Sequence, residues 1–188
     1  MFIIRKINGY NSFSFAALSI ALLAINLLLA QQNKQLKFYA GERDHSFGLN
    51  AGKQLPPIEG FDVAGNKLSL SYRGDGRKTL LLVFSPGCRY CHENMPNWQR
   101  VVNQLNTKEY RVIAISLKSE GAKEYMTNYN LTDVPLITEL SPKVRTAYGL
   151  SVTPLSVLID ADGKAEKVWA GLLQERELDE FKALAGRQ

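Results

Sequence analysis

Two cysteines separated by two residues stand out in the segment FSPGCRYCHENMPNW, which covers residues 84–98. Cys88 and Cys91 are the only cysteines of the chain, so they could form a redox couple, a structural disulfide or part of a metal site. A disulfide that closes so short a loop removes little entropy from the unfolded chain and therefore adds little stability. Two cysteines and two histidines cannot supply a four-cysteine zinc site. The spacing therefore favours a redox couple.

The strand and helix predicted around the cysteines indicate which cysteine attacks and which resolves. A continuous apolar run at residues 79–85 predicts a buried strand, and apolar residues at helical spacing from Trp98 to Leu105 predict an amphipathic helix. Cys88 is then expected at the helix N-terminus, where free N–H groups and the macrodipole stabilise a thiolate. Because the thiolate is the nucleophile in disulfide exchange, we expect Cys88 to attack and the more buried Cys91 to resolve the mixed disulfide.

The neighbours of the cysteines could tune their reactivity. Arg89 lies inside the pair and His92 directly follows it, and a positive charge at either position favours the thiolate. Glu93 is the adjacent carboxylate and is a third candidate for tuning the thiol pKa values. A lowered thiol pKa stabilises the reduced form and makes the couple more oxidising.

Strands and helices alternate along the rest of the chain. The other predicted elements are a hairpin at 57–70, strands at 110–117, 134–140, 155–160 and 164–171, and helices within 118–130, 141–149 and 173–186. This alternation predicts an α/β fold with a central, partly parallel sheet covered on both faces.

The N-terminus carries an apolar segment, residues 13–30, behind the basic residues Arg5 and Lys6. Its 18 residues can just cross a bilayer as a helix. Ala30 lacks a small residue two positions earlier, so we expect an uncleaved signal-anchor rather than a cleaved signal. The predicted organisation is a short cytoplasmic N-terminus at 1–12, a transmembrane helix at 13–30, a linker at 31–52 and a folded domain at 53–188.

The overall composition is that of a globular protein. Hydrophobic residues make up 45% of the 188 residues and charged residues 22%, and the net charge of +5 is scattered without a basic run. A clustered basic face is the usual mark of nucleic-acid binding, so no nucleic-acid partner is expected.

The block from Leu55 to Ala185 resembles a thioredoxin-fold domain of the membrane-anchored TlpA/ResA-type redoxins. The resemblance is carried by LPPIEGFDVAGNKLSL, FSPGCRYCHENMPNW, VTP before LSVLIDADGK, and VWAG before the last helix. It implies a thioredoxin fold with an N-terminal β-hairpin extension, preceded by one transmembrane helix. It also implies a thiol-disulfide oxidoreductase without a cofactor, and anchored members of the family most often reduce exported proteins, such as apocytochromes during haem attachment. Tyr90 before the second cysteine instead resembles periplasmic disulfide isomerases and favours an oxidising couple, so the direction of electron flow stays open.

The same resemblance implies a substrate site. Thr153–Pro154 is expected to be a cis peptide opposite the cysteines, and the Thr153 backbone is expected to pair with a substrate strand. Tyr90 is the third predicted substrate-binding residue, and Pro96 matches a helix-kinking proline. The expected partners are protein thiols or disulfides and a transmembrane thiol-reducing electron donor. The expected location is the bacterial inner membrane, with the domain facing the periplasm or cell exterior.

The chain departs from the family pattern at four positions. Gly87 replaces a tryptophan before the first cysteine, and Tyr90 replaces a proline before the second. Asn94 replaces a glutamate that accepts a proton from the buried thiol, and Leu82 replaces the buried aspartate of thioredoxin.

Two alternatives use the same cysteines. A thiol peroxidase-type redoxin would use Cys88 against peroxide, although Leu81 stands where such a site has proline. A copper-binding assembly factor would hold Cu(I) with Cys88, Cys91 and a histidine, since soft thiolates prefer that ion.

Overall fold

The computed structural model describes the backbone of residues 10–45 and 49–185, and within the first of these segments the side chains of residues 15–32. The chain forms two compact units, Met1–Ser46 and Phe47–Gln188. In the described part of the first unit the backbone is one helix, α1 (Tyr10–His45).

The middle of α1 is apolar on all sides. The window Phe15–Gln32 has a mean hydropathy of 1.8, and its side chains are exposed. Ser19 Oγ donates to the Phe15 carbonyl at 2.9 Å, and Asn26 Nδ2 donates to the Leu22 carbonyl at 2.9 Å. The Ser19 and Asn26 side chains therefore each find a partner within the helix, which lowers the free-energy cost of placing them in an apolar medium. At about 1.5 Å per residue the window spans about 27 Å, enough to cross a hydrocarbon core with little mismatch.

The observed bounds of the N-terminal segments differ from the predicted ones. α1 extends past 13–30 at both ends, and residues 31–45, predicted as linker, continue the helix because they contain no proline and only one glycine. The second unit also begins to pack before residue 53, since Leu49 is buried and Gly52 N donates to the Ala165 carbonyl at 2.7 Å. Most of the predicted cytoplasmic segment 1–12 lies outside the described residues.

The second unit contains a seven-stranded mixed sheet in the order β2-β1-β5-β4-β3-β6-β7. The strands are β1 (Ile58–Asp62), β2 (Lys67–Leu70), β3 (Lys78–Phe84), β4 (Tyr110–Ser116), β5 (Leu136–Leu140), β6 (Leu155–Ile159) and β7 (Ala165–Ala170). β4 runs parallel to β3 and β5, while β6 is antiparallel to β3 and β7. The partly parallel sheet predicted from the element order is confirmed.

Helices cover both faces of the sheet. They are α2 (Arg89–Gln104), α3 (Ala122–Asn128), α4 (Pro142–Tyr148) and α5 (Glu175–Ala185). Residues of α2, α3 and α5 form one core with Leu80, Leu82 and Phe84 of β3, and residues of α4 form a second core with Leu81 and Val83. β3 is buried on both faces because alternate side chains enter the two cores, which explains its continuous apolar run.

The predicted N-terminal hairpin is confirmed and extends the sheet. β1 pairs antiparallel with β2 and also with β5. Asp62 closes the turn, because its carboxylate accepts from Ala64 N and Asn66 N, both at 2.8 Å. Gly65 occupies the left-handed region there, with φ of 83°. The hairpin thus lies at the sheet edge opposite β7.

Candidate active site

The cysteine pair lies where β3 meets α2. β3 ends at Phe84, and Cys88 is the N-cap of α2 with extended φ and ψ of −90° and 113°. Cys88 is half-buried, and Cys91, one turn into the helix, is fully buried. Both thiols are free. The predicted position of Cys88 at the helix N-terminus is confirmed.

The two thiols have opposite pKa shifts. Partial burial of Cys88 opposes its ionisation. This effect is outweighed by hydrogen bonds from the Cys91 thiol and the Thr153 side chain and by the N–H groups of Cys91 and Tyr90, so the pKa of Cys88 lies below the ordinary value. The Cys88 side chain makes no capping hydrogen bond at the N-terminus of α2, so these N–H groups act mainly as oriented dipoles. Burial, and then the hydrogen bond to Cys88, raise the pKa of Cys91 to about 12. Near neutral pH, Cys88 is therefore the better nucleophile.

The Thr153–Pro154 peptide lies beside Cys88 and is cis, as predicted. Cys88 Sγ donates to the Thr153 carbonyl at 3.5 Å. Pro154 is buried directly before β6, and its carbonyl accepts from Gly171 N at 2.8 Å, which ties the peptide to the end of β7. The fold thus brings the predicted substrate-binding backbone to the predicted nucleophile.

Three other predicted residues near the cysteines, Arg89, Tyr90 and Glu93, are exposed and lie on the surface beside Cys88. Tyr90 is 61% exposed, next to the half-buried Cys88. Arg89 Nε donates to Glu93 Oε1 at 2.9 Å, and the Arg89 side chain is 86% exposed. Neither residue of this ion pair is among the groups that contribute most to the lowered pKa of Cys88. Tuning by Arg89 and Glu93, and substrate contact by Tyr90, stay predictions.

His92 is held by two hydrogen bonds. Its Nε2 lies 2.9 Å from the Pro86 carbonyl, and its Nδ1 lies 3.0 Å from the Tyr129 hydroxyl. A carbonyl can only accept, so Nε2 carries the proton and, in the neutral ring, Nδ1 accepts from Tyr129. The ring therefore braces the loop before Cys88 against the residue that follows α3. This geometry does not test the predicted effect of His92 on the pKa values of the thiols.

An aromatic cluster beside the cysteines was missed from the sequence. Tyr125 stacks on Phe84 with ring centroids 5.0 Å apart and meets the edge of His92 at 4.7 Å. Tyr129 lies 5.2 Å from Tyr125. The available signal was the i, i+4 spacing of the two tyrosines, which places them on one helix face.

The position predicted to disrupt proton transfer, Asn94, is fully buried on the same side of α2 as Cys91. Its Oδ1 accepts from Leu173 N at 2.9 Å. Leu82, in place of an aspartate, is a buried residue of the same core. Within the described part of the chain, no three His, Cys, Asp or Glu side chains are arranged to hold a metal. The site thus consists of two unequal thiols in apolar and aromatic surroundings.

Comparisons with known proteins agree with this geometry. The model of the AhpC/TSA family matches residues 51–168, more than half of the chain. The thiol-disulfide oxidoreductase ResA of Bacillus cereus is 24% identical over 160 residues, which cover 84% of this chain and 91% of that protein. A thioredoxin-like protein of Haemophilus influenzae is 29% identical over 113 residues, covering 59% of this chain and 65% of that protein.

Solved structures show the same fold. A putative thiol:disulfide interchange protein DsbE from Chlorobium tepidum superimposes with a TM-score of 0.59 at 20% identity, covering 73% of this chain and 98% of that chain. A second interchange protein from the same organism gives 0.58 at 21% identity, covering 71% and 96%. The chain therefore belongs to the AhpC/TSA family and is a thiol-disulfide oxidoreductase of the thioredoxin fold.

Proposed function

We propose that this oxidoreductase is tethered to the bacterial inner membrane and reduces disulfides of exported proteins, with Cys88 as the attacking thiol and Cys91 as the resolving thiol. The observation that carries the division of roles is the contrast between the two sulfurs. Cys88 is half-buried with a lowered pKa, whereas Cys91 is fully buried with a pKa raised to about 12. A substrate can reach only the first, and only the first is readily ionised.

The reductive half-reaction follows from these roles. The Cys88 thiolate attacks one substrate sulfur, a Cys88–substrate disulfide forms, and the other substrate sulfur leaves as a thiolate that takes a proton from water. Cys91 then loses its proton to water, and its thiolate attacks Cys88 Sγ. The Cys88–Cys91 disulfide forms, the second substrate sulfur leaves, and two electrons have passed to the substrate. A transmembrane thiol-reducing donor would restore the dithiol.

The substrate chain is proposed to bind along the Thr153–Pro154 backbone. The contact between Cys88 Sγ and the Thr153 carbonyl supports this, because a strand paired with Thr153 would bring its disulfide to the nucleophile. Tyr90 is exposed next to Cys88, where an aromatic side chain could cover the apolar part of a bound peptide.

The tether is proposed to be residues 13–30, as an uncleaved signal-anchor. The support is the apolar window Phe15–Gln32, in which the polar side chains of Ser19 and Asn26 form hydrogen bonds within the helix. The domain would then face the periplasm or cell exterior, where exported substrates fold. The mass of the mature protein purified from membranes tests this, because cleavage would remove the segment from the product.

The direction of electron flow is tested by the reduction potential of the Cys88–Cys91 couple in the full chain in detergent. The lowered pKa of Cys88 by itself makes the couple more oxidising, so the reductase role requires the rest of the domain to favour the disulfide. We expect a potential below about −260 mV, the lower end of the range measured for cytosolic glutathione by extraction. Such a value fits a reductase, for example one that keeps apocytochrome thiols reduced for haem attachment. A potential near −120 mV, typical of a strong oxidant, would exclude the reductase role.

A thiol peroxidase is the second candidate, because the matching family model is named for AhpC/TSA proteins. In that reaction the Cys88 thiolate would attack a peroxide oxygen, becoming a sulfenic acid while the second oxygen leaves as water or an alcohol. A Cys91→Ser variant separates the candidates. Rapid peroxide consumption by this variant would support the peroxidase, and trapping of substrate proteins without peroxide consumption would support the reductase.

A further inference from the structure

Two buried polar groups lack hydrogen-bond partners among the residues the structure describes; one belongs to the core that contains Cys91, and the other is buried on the helix that carries Cys91. They are Asn94 Nδ2 and the Tyr125 hydroxyl. The Asn94 side chain is fully buried, and Tyr125 is 5% exposed. A buried donor without a partner is destabilising, so two such donors in this part of the fold call for a reason.

Asn94 follows Cys91 by one turn of α2. The i, i+3 spacing places both side chains on one face of the helix, and both are buried. Because Asn94 Oδ1 accepts from Leu173 N, the amide orientation is defined and the NH₂ group is the end left without a partner. An amide cannot take up the Cys91 proton, but it can donate a hydrogen bond to the sulfur once that proton has left.

Tyr125 approaches from α3. Its ring is fixed between Phe84, the last residue of β3, and His92, the residue after Cys91. Burial raises its pKa most, and negative charge at Cys91, then at Tyr129 and then at Cys88, raises it further. The hydroxyl therefore stays protonated and lies within electrostatic range of both sulfurs. It is a hydrogen-bond donor without an acceptor.

We propose that the Tyr125 hydroxyl and the Asn94 amide are the donors that stabilise the Cys91 thiolate during the resolving step. This inference rests on the proposed role of Cys91. Neither donor is hydrogen-bonded to a sulfur in the dithiol state. A neutral thiol is a weak acceptor, whereas a thiolate is a strong one that would draw both donors towards it. Donors in a buried site stabilise negative charge where it develops, as in an oxyanion hole.

The donors change the energy of the intermediate without altering the reaction balance. Cys91 still gives its proton to water, its thiolate still attacks Cys88 Sγ, and the substrate sulfur still leaves. The charge moves from Cys91 to the leaving sulfur as the Cys88–Cys91 bond forms. Both donors then lose their acceptor again, so they favour the attacking thiolate over the resting dithiol and the final disulfide.

A small aromatic disulfide, 5,5′-dithiobis(2-nitrobenzoic acid), separates the two steps in the reduced full chain in detergent. Attack by Cys88 releases one coloured thiolate, and attack by Cys91 on the resulting mixed disulfide releases the second. Tyr125→Phe keeps the ring and removes only the hydroxyl. We expect it to leave the first release within about two-fold of the wild type and to slow the second about ten-fold or more, the effect of losing a hydrogen bond to a charged group.

Tyr110→Phe is the matched control, since Tyr110 is buried in the same core at the other end of the sheet from the cysteines. It should change neither release. Equal second-release rates in Tyr125→Phe and the wild type would overturn the role of Tyr125, as would equal slowing of both releases. Because the probe is not a protein, this result does not depend on whether the physiological substrate is an exported protein.

Asn94→Asp tests the second donor. The carboxylate keeps an acceptor for Leu173 N but has no N–H group and adds a negative charge beside Cys91. A slower second release supports donation by Asn94. An unchanged or faster second release would overturn it, because a carboxylate at this position would then serve resolution as well as the amide does.

Discussion

The sulfur of Cys88 donates a hydrogen bond to the carbonyl oxygen of Thr153 at 3.5 Å, although the two residues are 65 positions apart in the chain. The contact joins the helix that carries the nucleophile to the peptide that precedes β6. It places the half-buried thiol against a backbone that a bound peptide could pair with. The Cys88 thiol and the proposed substrate-binding peptide Thr153–Pro154 are thus in direct contact.

Replacement of the resolving thiol should trap the substrate. In Cys91→Ser the Cys88 thiolate can still attack, but no second thiolate is available to release the mixed disulfide. We expect a stable covalent adduct with a peptide that contains one disulfide, seen by intact mass spectrometry. Cys88→Ser is the control and should form no adduct. An equally stable adduct in Cys88→Ser would reverse the assigned roles.

The reactivity of Cys88 should persist to lower pH than that of an ordinary cysteine. Its pKa is lowered, and the thiolate is the reactive form, so alkylation is fast above this pKa and is lost as the pH falls through it. We expect the reduced full chain to lose its first equivalent of iodoacetamide reactivity at a midpoint below about 8.5, the value for an unperturbed thiol. Cys91→Ala should move the midpoint upward, because it removes one of the groups that lower the pKa. A midpoint at or above the unperturbed value would contradict this.

Arg89 should contribute little to the reactivity of Cys88. Its guanidinium is exposed and paired with Glu93, and exposed i, i+4 pairs contribute only about 0.3–0.5 kcal/mol. We expect Arg89→Gln to leave the alkylation midpoint of Cys88 within about 0.3 pH unit of the wild type. Glu93→Gln is the companion variant, which frees the guanidinium. An increase of a full pH unit in Arg89→Gln would instead support the tuning role expected from the sequence.

The buried bond between α2 and β6 should stabilise the fold. Trp98 Nε1 donates to Ser156 Oγ at 2.8 Å, and both side chains are buried. Ser156→Ala leaves the indole N–H without a partner, which should lower the free energy of unfolding by about 1–3 kcal/mol. Urea unfolding followed by tryptophan fluorescence measures this. Adding Trp98→Phe should cost less than the sum of the single changes, since the pair is then removed together.

The hairpin extension should depend on the absence of a side chain at Gly60. A β-carbon there would overlap the Glu139 carbonyl and come within 2.8 Å of Ile137 Cγ2, both in β5. We expect Gly60→Ala to destabilise the domain by about 1–3 kcal/mol in thermal or urea unfolding, the range for overpacking. Gly87→Ala is the control, because its β-carbon would meet no atom within 4 Å. Equal stability of the two variants would show that β1 can shift without penalty.

Local sequence patterns determined most of the fold. The apolar run that became β3 predicts a strand buried on both faces because it has no polar alternation, and the turn residues around Gly65 predict the hairpin. The N-cap position of Cys88 followed from a strand that ends just before an amphipathic helix. These features depend on neighbours within a few residues, so one sequence was enough to predict them.

Tertiary structure alone decided the surroundings of the thiols. The bonds of His92 to Pro86 and Tyr129, and the approach of Tyr125 to Phe84, depend on how α3 packs against α2. The sequence carries the helical spacing of the tyrosines but not the partner they face, because contacts between distant segments are set by the packing of whole elements. For the same reason the sequence identified Asn94 as unable to accept a proton, whereas only the fold revealed that its amide is buried without a partner.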